Sequence, residues 1–166
     1  MENLPHATDD DRATIAKIVK AAKVGLLTTV SPDGQLHSRP LVAQDVEFDG
    51  DLWFFAQDDS AKVRDIAAHG QVNVAFESGK GYLSLAGTAT VVRDEQKIEE
   101  YWSPGVEAWF PEGREDPTVA LIRVHAETAE YWANDEPRIV SAFKIAKAAV
   151  GGGQPDVGEN RTVDLS

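Results

Sequence analysis

Turn-forming sequences join apolar runs directly in the first half of this chain, with no helix-length segment between them. Ser31-Pro32-Asp33-Gly34 links VGLLTTV (24–30) to QLHSRPLVAQ (35–44), and Asp49-Gly50 interrupts VEFDGDLWFFAQ (46–57). SGKG (78–81) likewise joins QVNVAFE (71–77) to YLSLAGTATVV (82–92). Pro and Gly stand where tight turns want them, and Asp-Gly between apolar runs is a strong hairpin signal. Runs connected this closely can only pair antiparallel. QVNVAFE also alternates apolar and polar residues, as a half-buried strand does.

Helical patterns are fewer. Thr8 to Asp11 reads as a capped helix start, followed by a stripe of Ile15, Ile18, Val19 and Ala22. A second helix begins after Ser60, carries Val63, Ile66 and Ala67 on one side, and ends near Gly70. Asp94 to Trp102 reads as a short helix, and SPGVEAWFPEGREDP (103–117) as irregular. TVALIRVHAETAEYWAN (118–134) is expected to be one long strand bent at Ala126, with a helix over 138–150. The expected order is helix, four strands in hairpins, crossing helix, two paired strands, helix, long strand, helix. This is not the β-α alternation of a doubly wound sheet. An antiparallel barrel or coiled sheet closed by short helices fits it better.

At 166 residues the chain suits one domain, placed at 1–150, with GGGQPDVGENRTVDLS (151–166) as a flexible tail. No apolar run approaches the roughly eighteen residues of a membrane span. The acidic start MENLPHATDDD lacks a signal-peptide pattern, and there is no cysteine, so a soluble cytoplasmic protein is expected. A net charge of −12 opposes binding to nucleic acid or to anionic membranes. An anionic ligand then requires a local cluster of cations.

One segment holds such a cluster. In FFAQDDSAKVRDIAAH (54–69), Lys62 and Arg64 fall in the first helical turn, where the helix dipole disfavours positive charge. Two readings are open. The cations pair with Asp58, Asp59 and Asp65 on a capped surface helix, or Ser60, Lys62 and the helix amides form an anion site. Upstream, His37, Arg39 and Leu41 share one face of a strand while Ser38, Pro40 and Val42 share the other. Pro40 marks an edge or an interrupted ladder, whose unpaired backbone can bond a heteroaromatic ring. His6, His37, His69 and His125 show no metal-ligand spacing, and GYLSLAG contains no nucleophile elbow around Ser84. Tyr101, Trp102, Trp109, Phe110 and Trp132 are core or interface candidates. Trp109-Phe110 stands out, because an irregular segment offers it little local packing and a planar ligand or dimer partner offers more.

The run SRPLVAQDVEFDGDLWFFAQDDSAKVRDI, then VNVAFE and YLSLAGTATVV, resembles the pyridoxamine 5′-phosphate oxidase-like FMN-binding split barrel. The later YWSPGVEAWFPEGREDPTVALIRVHAETAEYW is similar to its general stress protein 26 branch, and the likeness runs from about residue 10 to 148. The resemblance implies a mainly β (α+β) fold: a six-stranded antiparallel split barrel with peripheral helices, homodimeric, with FMN at the interface. It implies that Arg39, Pro40, Leu41 and Val42 run along the flavin and ribityl chain, and that Phe55-Ala56 matches an aromatic-Thr pair. Ser60 and Lys62 match a phosphate grip, and Trp109 falls near an aromatic brought by the second subunit. The chain departs from the oxidase at Ala61, at Tyr82 and in the absence of a C-terminal Arg-x-His signature. A flavin-dependent oxidoreductase on an unknown small substrate is expected, and not a true pyridoxamine phosphate oxidase. A non-catalytic flavin-binding protein that sequesters or senses FMN, or a relative binding the deazaflavin F420 or haem in the same groove, is the alternative.

Overall fold

The computed structural model describes residues 3–134 and 159–166. Helix α1 (Asp9–Ala22) leads into β1 (Val24–Val30), β2 (Leu36–Val42) and β3 (Asp51–Gln57). Helix α2 (Ala61–Ala68) then crosses to β4 (Gln71–Ser78) and β5 (Gly81–Val92). The short helices α3 (Glu95–Tyr101) and α4 (Pro104–Glu107) precede β6 (Val119–Ala133), and β7 (Glu159–Asp164) ends the chain. All ladders are antiparallel, in the order β2-β1-β4-β5-β6-β3, with β7 added to β6. The sheet does not close. Its edges, β2 and β3, meet only at a bridge from Ala43 to Phe54, beside a hydrogen bond from the Gln44 amide to the Trp53 carbonyl (2.9 Å). The mainly β, split-barrel expectation therefore holds, with helices packed around an antiparallel sheet.

Strand β6 organises the sheet. One edge pairs with β5 along almost its whole length, and the other is divided between β3 (residues 119–125) and β7 (residues 128–133). A register shift opposite Ala86/Gly87 leaves Glu127 out of the ladder, which is the bend expected at Ala126. Gly87 is required there, because a Cβ would collide with the His125 carbonyl. β3 is buried on both faces. Leu52, Phe54 and Ala56 enter the main core with Leu27, Val74, Leu85 and Val124. Trp53 and Phe55 face a second core, with Ile98, Val106, Phe110 and Leu121, under α3 and α4. An unbroken apolar run, DLWFFA, is what two buried faces require.

Several expectations change. Residues 46–48 are not a strand, so three strands precede α2 and not four. The Asp49-Gly50 turn does form, with Gly50 at φ +109° and the Asp49 carboxylate accepting the Asp51 amide (3.1 Å), but the strand after it pairs with the distant β6. Residues 104–107, read as irregular, make a helical turn capped by Ser103, whose Oγ accepts the Val106 amide (3.3 Å). On α2 the buried side comprises Val63, Asp65 and Ile66 with half-buried Lys62, whereas Ala67 is exposed. The helix expected over 138–150 lies outside the described residues. The end of the expected tail is a seventh strand, because Val163 and Leu165 are apolar and close the core on the β7 side.

The chain ends are locked together around Asp11, which is 1% exposed. Its carboxylate accepts from the Thr8 amide (2.8 Å), the Thr8 hydroxyl (2.6 Å) and the Tyr131 hydroxyl (2.5 Å), and Arg161 of β7 stands 3.4 Å away. Arg12 adds a bond to the Leu165 carbonyl (2.9 Å). Burial pushes the Asp11 carboxyl up, but the bonds from Thr8 and Tyr131 and the Arg161 charge outweigh it and hold its pKa below the ordinary value. Asp11→Ala strips these donors of their acceptor and is expected to cost about 2–3 kcal/mol, read as a lower melting temperature. A depressed carboxyl stabilises fully above its unfolded pKa of about 3.9 and loses that contribution as pH falls through the folded value. The gap between wild type and Asp11→Ala should therefore be widest near neutral pH and narrow below pH ~4.

Candidate functional site

The first turn of α2 is built unlike an ordinary helix start. Ser60 is the N-cap by backbone geometry (φ −72°, ψ 155°), yet its side chain makes no capping bond. Its Oγ is buried and has no hydrogen-bond partner among the described residues. Serine at this position normally accepts an amide of the first turn. Here the hydroxyl is kept dry and unused beside amides that have no intrahelical acceptor.

Lys62 follows, half-buried and without an ion pair among the described residues. Burial, and then the nearby Arg39 guanidinium, hold its ammonium below its ordinary pKa. Arg39 reaches this place from the edge strand β2, donating through Nη1 to Thr29 Oγ1 (2.5 Å) and standing 3.5 Å from Asp65 Oδ2 through Nη2. Thr29 donates in turn to the same Asp65 oxygen (2.7 Å). Three elements thus converge: β1 through Thr29, β2 through Arg39, and α2 through Ser60, Lys62 and Asp65. The chemistry offered is a set of donors carrying two cations, of the kind that suits a small oxyanion.

The alternative pairing of the helix cations does not occur as expected. Asp58 pairs with Arg93 (3.0 Å), Asp65 with Arg39, and Arg64 donates to the Asp59 backbone carbonyl. Lys62 has no ion pair among the described residues. Thr29 and Asp65 are members of this cluster that sequence reasoning did not assign to it. The one signal for Asp65 was that it lies next to Ile66 on the arc that buries Val63 and Lys62.

The other expected residues are placed less centrally. Pro40 lies where an edge strand tolerates a missing amide, since β2 pairs only with β1. Leu41 is half-buried against the main core, while Pro40 and Val42 face outward. Ala56 is buried in the main core. The Phe55 ring packs edge-on against Trp102 (5.7 Å between centroids) and Phe110 (6.3 Å). Trp109 is 75% exposed, and its indole has no ring or hydrogen-bond partner among the described residues; its neighbour Phe110 is 3% exposed. Within the chain, therefore, Lys62 and Arg39 lie close together near the Ser60 cap of α2, and Trp109 is exposed. Two surface clefts lie elsewhere, beside Arg114–Glu99 (2.8 Å) and beside Trp53, whose ring is covered by Lys97 (4.6 Å to the centroid).

Comparison with known proteins agrees with this fold. The family model described as pyridoxamine 5′-phosphate oxidase like matches residues 10–156. Protein bli-3 of Neurospora crassa is 28% identical over 161 residues, covering 90% of this chain and 77% of its own. Among solved structures, the general stress FMN/FAD binding protein of Xanthomonas citri is 28% identical, with a TM-score of 0.69 over 78% of this chain and 93% of that one. A candidate general stress protein 26 from Jannaschia sp. CCS1, 24% identical, superposes with a TM-score of 0.75 over 95% of this chain and all of that one (100%), and so shares the fold. With its edge-strand Arg39, its crossing helix α2 and its split antiparallel sheet, the chain belongs to the pyridoxamine 5′-phosphate oxidase-like family.

Proposed function

We propose that this chain is a stress-type flavoprotein that binds FMN, with the phosphate at the start of α2, and acts as a flavin-dependent oxidoreductase on a small substrate. The observation that carries the reading is the buried Ser60 hydroxyl, without a hydrogen-bond partner among the described residues, near half-buried Lys62, which has no ion pair among them. A buried hydroxyl without a partner costs about 1–3 kcal/mol, and two neighbouring cations repel. One phosphate satisfies all three groups and the free amides of the helix start, so the residues fit the cofactor. The flavin supplies reversible hydride acceptance, which needs no acid, base or nucleophile from the chain. Ser60, Lys62 and Arg39 hold the phosphate end, and the edge-strand segment Pro40-Leu41-Val42 lies along the ring and ribityl chain. Phe55-Ala56 closes the other side.

A homodimer completes the site in this reading. The outer sheet face exposes Val24, Leu26, Leu36 and Val42, with Tyr82 and Trp132 opposite each other in register across β5 and β6. An apolar face of this kind marks an interaction surface, and exposed Trp109 is the residue a second copy would bring to the ring. A flavin carrier without turnover is the second reading. It is favoured because Arg161, the one basic residue of the segment 151–166, stands against Asp11 and not toward a substrate. Reduction of the bound flavin by NAD(P)H or a reduced deazaflavin separates the two. A flavin left oxidised by every reductant supports the carrier.

The visible spectrum of the purified protein comes first: flavin bands are expected, and a haem Soret band or a deazaflavin spectrum would replace FMN. Lys62→Ala should weaken FMN by about tenfold to a hundredfold, as befits a charge-assisted bond, with riboflavin nearly unaffected in fluorescence titration. Equal losses would remove Lys62 from the phosphate. Trp109→Ala should lower flavin affinity while the melting temperature stays within a degree or two, and collapse of the fold would make it a packing residue. Leu26→Asp places a charge in the middle of the apolar face, and sedimentation should report a monomer with weakened flavin binding.

A further inference from the structure

One buried charge has no part in the reading above. Asp65 is 5% exposed, on the inner side of α2, and its Oδ2 is shared between Thr29 Oγ1 (2.7 Å) and Arg39 Nη2 (3.5 Å). Thr29 is itself fully buried and uses its hydroxyl twice, donating to Asp65 and accepting from Arg39 (2.5 Å). The three side chains form a closed ring of contacts joining α2 to β1 and β2, set immediately behind the anion site. Burying a carboxylate is costly unless it is paired and hydrogen-bonded. Paired more simply with a surface lysine, it would do nothing for the site.

The guanidinium explains the placement. Arg39 and Lys62 are close enough for the first to depress the ionisation of the second. Left alone, two such cations separate, and the more mobile one turns to solvent. The Arg39 side chain is 24% exposed and has that route open. What keeps it beside Lys62 is the contact with Asp65 and Thr29 on its inner side.

We propose that Asp65 is the positioning residue of the anion site: through Thr29 it holds Arg39 beside Lys62 in the ligand-free chain, so that a phosphate monoester meets both cations already in place. The proposal rests on the phosphate reading of the site given above. Asp65 itself touches no ligand. It removes the reorganisation that a phosphate would otherwise have to drive, which is how preorganisation raises affinity. It also leaves the site a net charge of one, two cations less one carboxylate, so the cluster persists without attracting every anion.

The test uses Asp65→Asn, which keeps volume and a hydrogen-bonding group but removes the charge, and Thr29→Val, which keeps shape and removes the shared hydroxyl. Each full-length variant is titrated with FMN and with riboflavin. In the same flavin-free proteins, Lys62 is titrated by NMR of isotope-labelled lysine. The preference for FMN over riboflavin is expected to fall about tenfold in Asp65→Asn and less in Thr29→Val, riboflavin affinity being unchanged. Lys62 should titrate higher than in wild type, because Arg39 has withdrawn. If Lys62 titrates lower, Arg39 has stayed and only a negative charge was lost, which overturns positioning. Equal loss of both flavins, or an unchanged preference, overturns it too. If Asp65→Asn does not fold, the Thr29→Val arm decides by the same readings. A wild-type chain with no preference for FMN would instead sink the phosphate reading, while the Lys62 titration still judges whether Asp65 holds Arg39.

Discussion

Strand β6 has to satisfy the backbone along both edges of fifteen residues inside a packed sheet, and the rest of the structure follows from how it does so. Buried amides and carbonyls are almost never left unpaired. β5 covers one edge; the other is shared, β3 taking the first part and β7 the second, on either side of the step at Glu127. That division fixes where β3 begins, since Asp51 pairs with His125 just before the step at Glu127. At its other end β3 closes with Gln57 opposite Val119, the first residue of β6, and the turn into α2 follows with Ser60 as cap.

What could be read without coordinates was local. The turns at 31–34 and 78–81, the capped start of α1, the short helix after Asp94 and the bend at Ala126 are each specified by a few adjacent residues, and each appears in the structure. What escaped was pairing at a distance. Asp49-Gly50 makes a turn wherever the chain goes next, so it could not say that Asp51–Gln57 would pair with Val119–His125. ENRTVD has only one strongly apolar residue, Val163, and Gly-rich sequence ahead of it. It becomes a strand because β6 offers an unpaired edge. Asp65 was opaque for a similar reason. A carboxylate near two cations looks like a surface ion pair until β1 and β2 are known to lie beneath it.

Charge shows the difference between a whole molecule and a site. At −12 the protein repels anions at long range. Yet the field at the start of α2 is set by groups a few ångströms away, where screening by water is weak. Several arginines are paired with carboxylates: Arg93 with Asp58, Arg123 with Asp51, Arg114 with Glu99. Asp51 illustrates how thoroughly, since burial raises its carboxyl and the bonds from Arg123 and His125 more than reverse that. Against this background Lys62 is informative because it is half-buried, with burial and the Arg39 charge holding its ammonium below its ordinary pKa.

Trp109 and Phe110 sharpen the argument about what lies outside the protomer. They are adjacent, both large and apolar, and follow the same helical turn, yet one is sealed beneath α3 and α4 and the other stands in water. Burying an indole is worth more than burying a phenyl ring on area alone. A chain optimised as a monomer would use that segment the other way round, or make position 109 polar. The arrangement is economical only if Trp109 meets apolar surface that the protomer does not itself supply. The outer face of β1 and β2, with Leu26 set between Pro40 and Ala75, has the same deficit. In the proposed homodimer these two apolar surfaces are covered together, each copy burying what the other exposes.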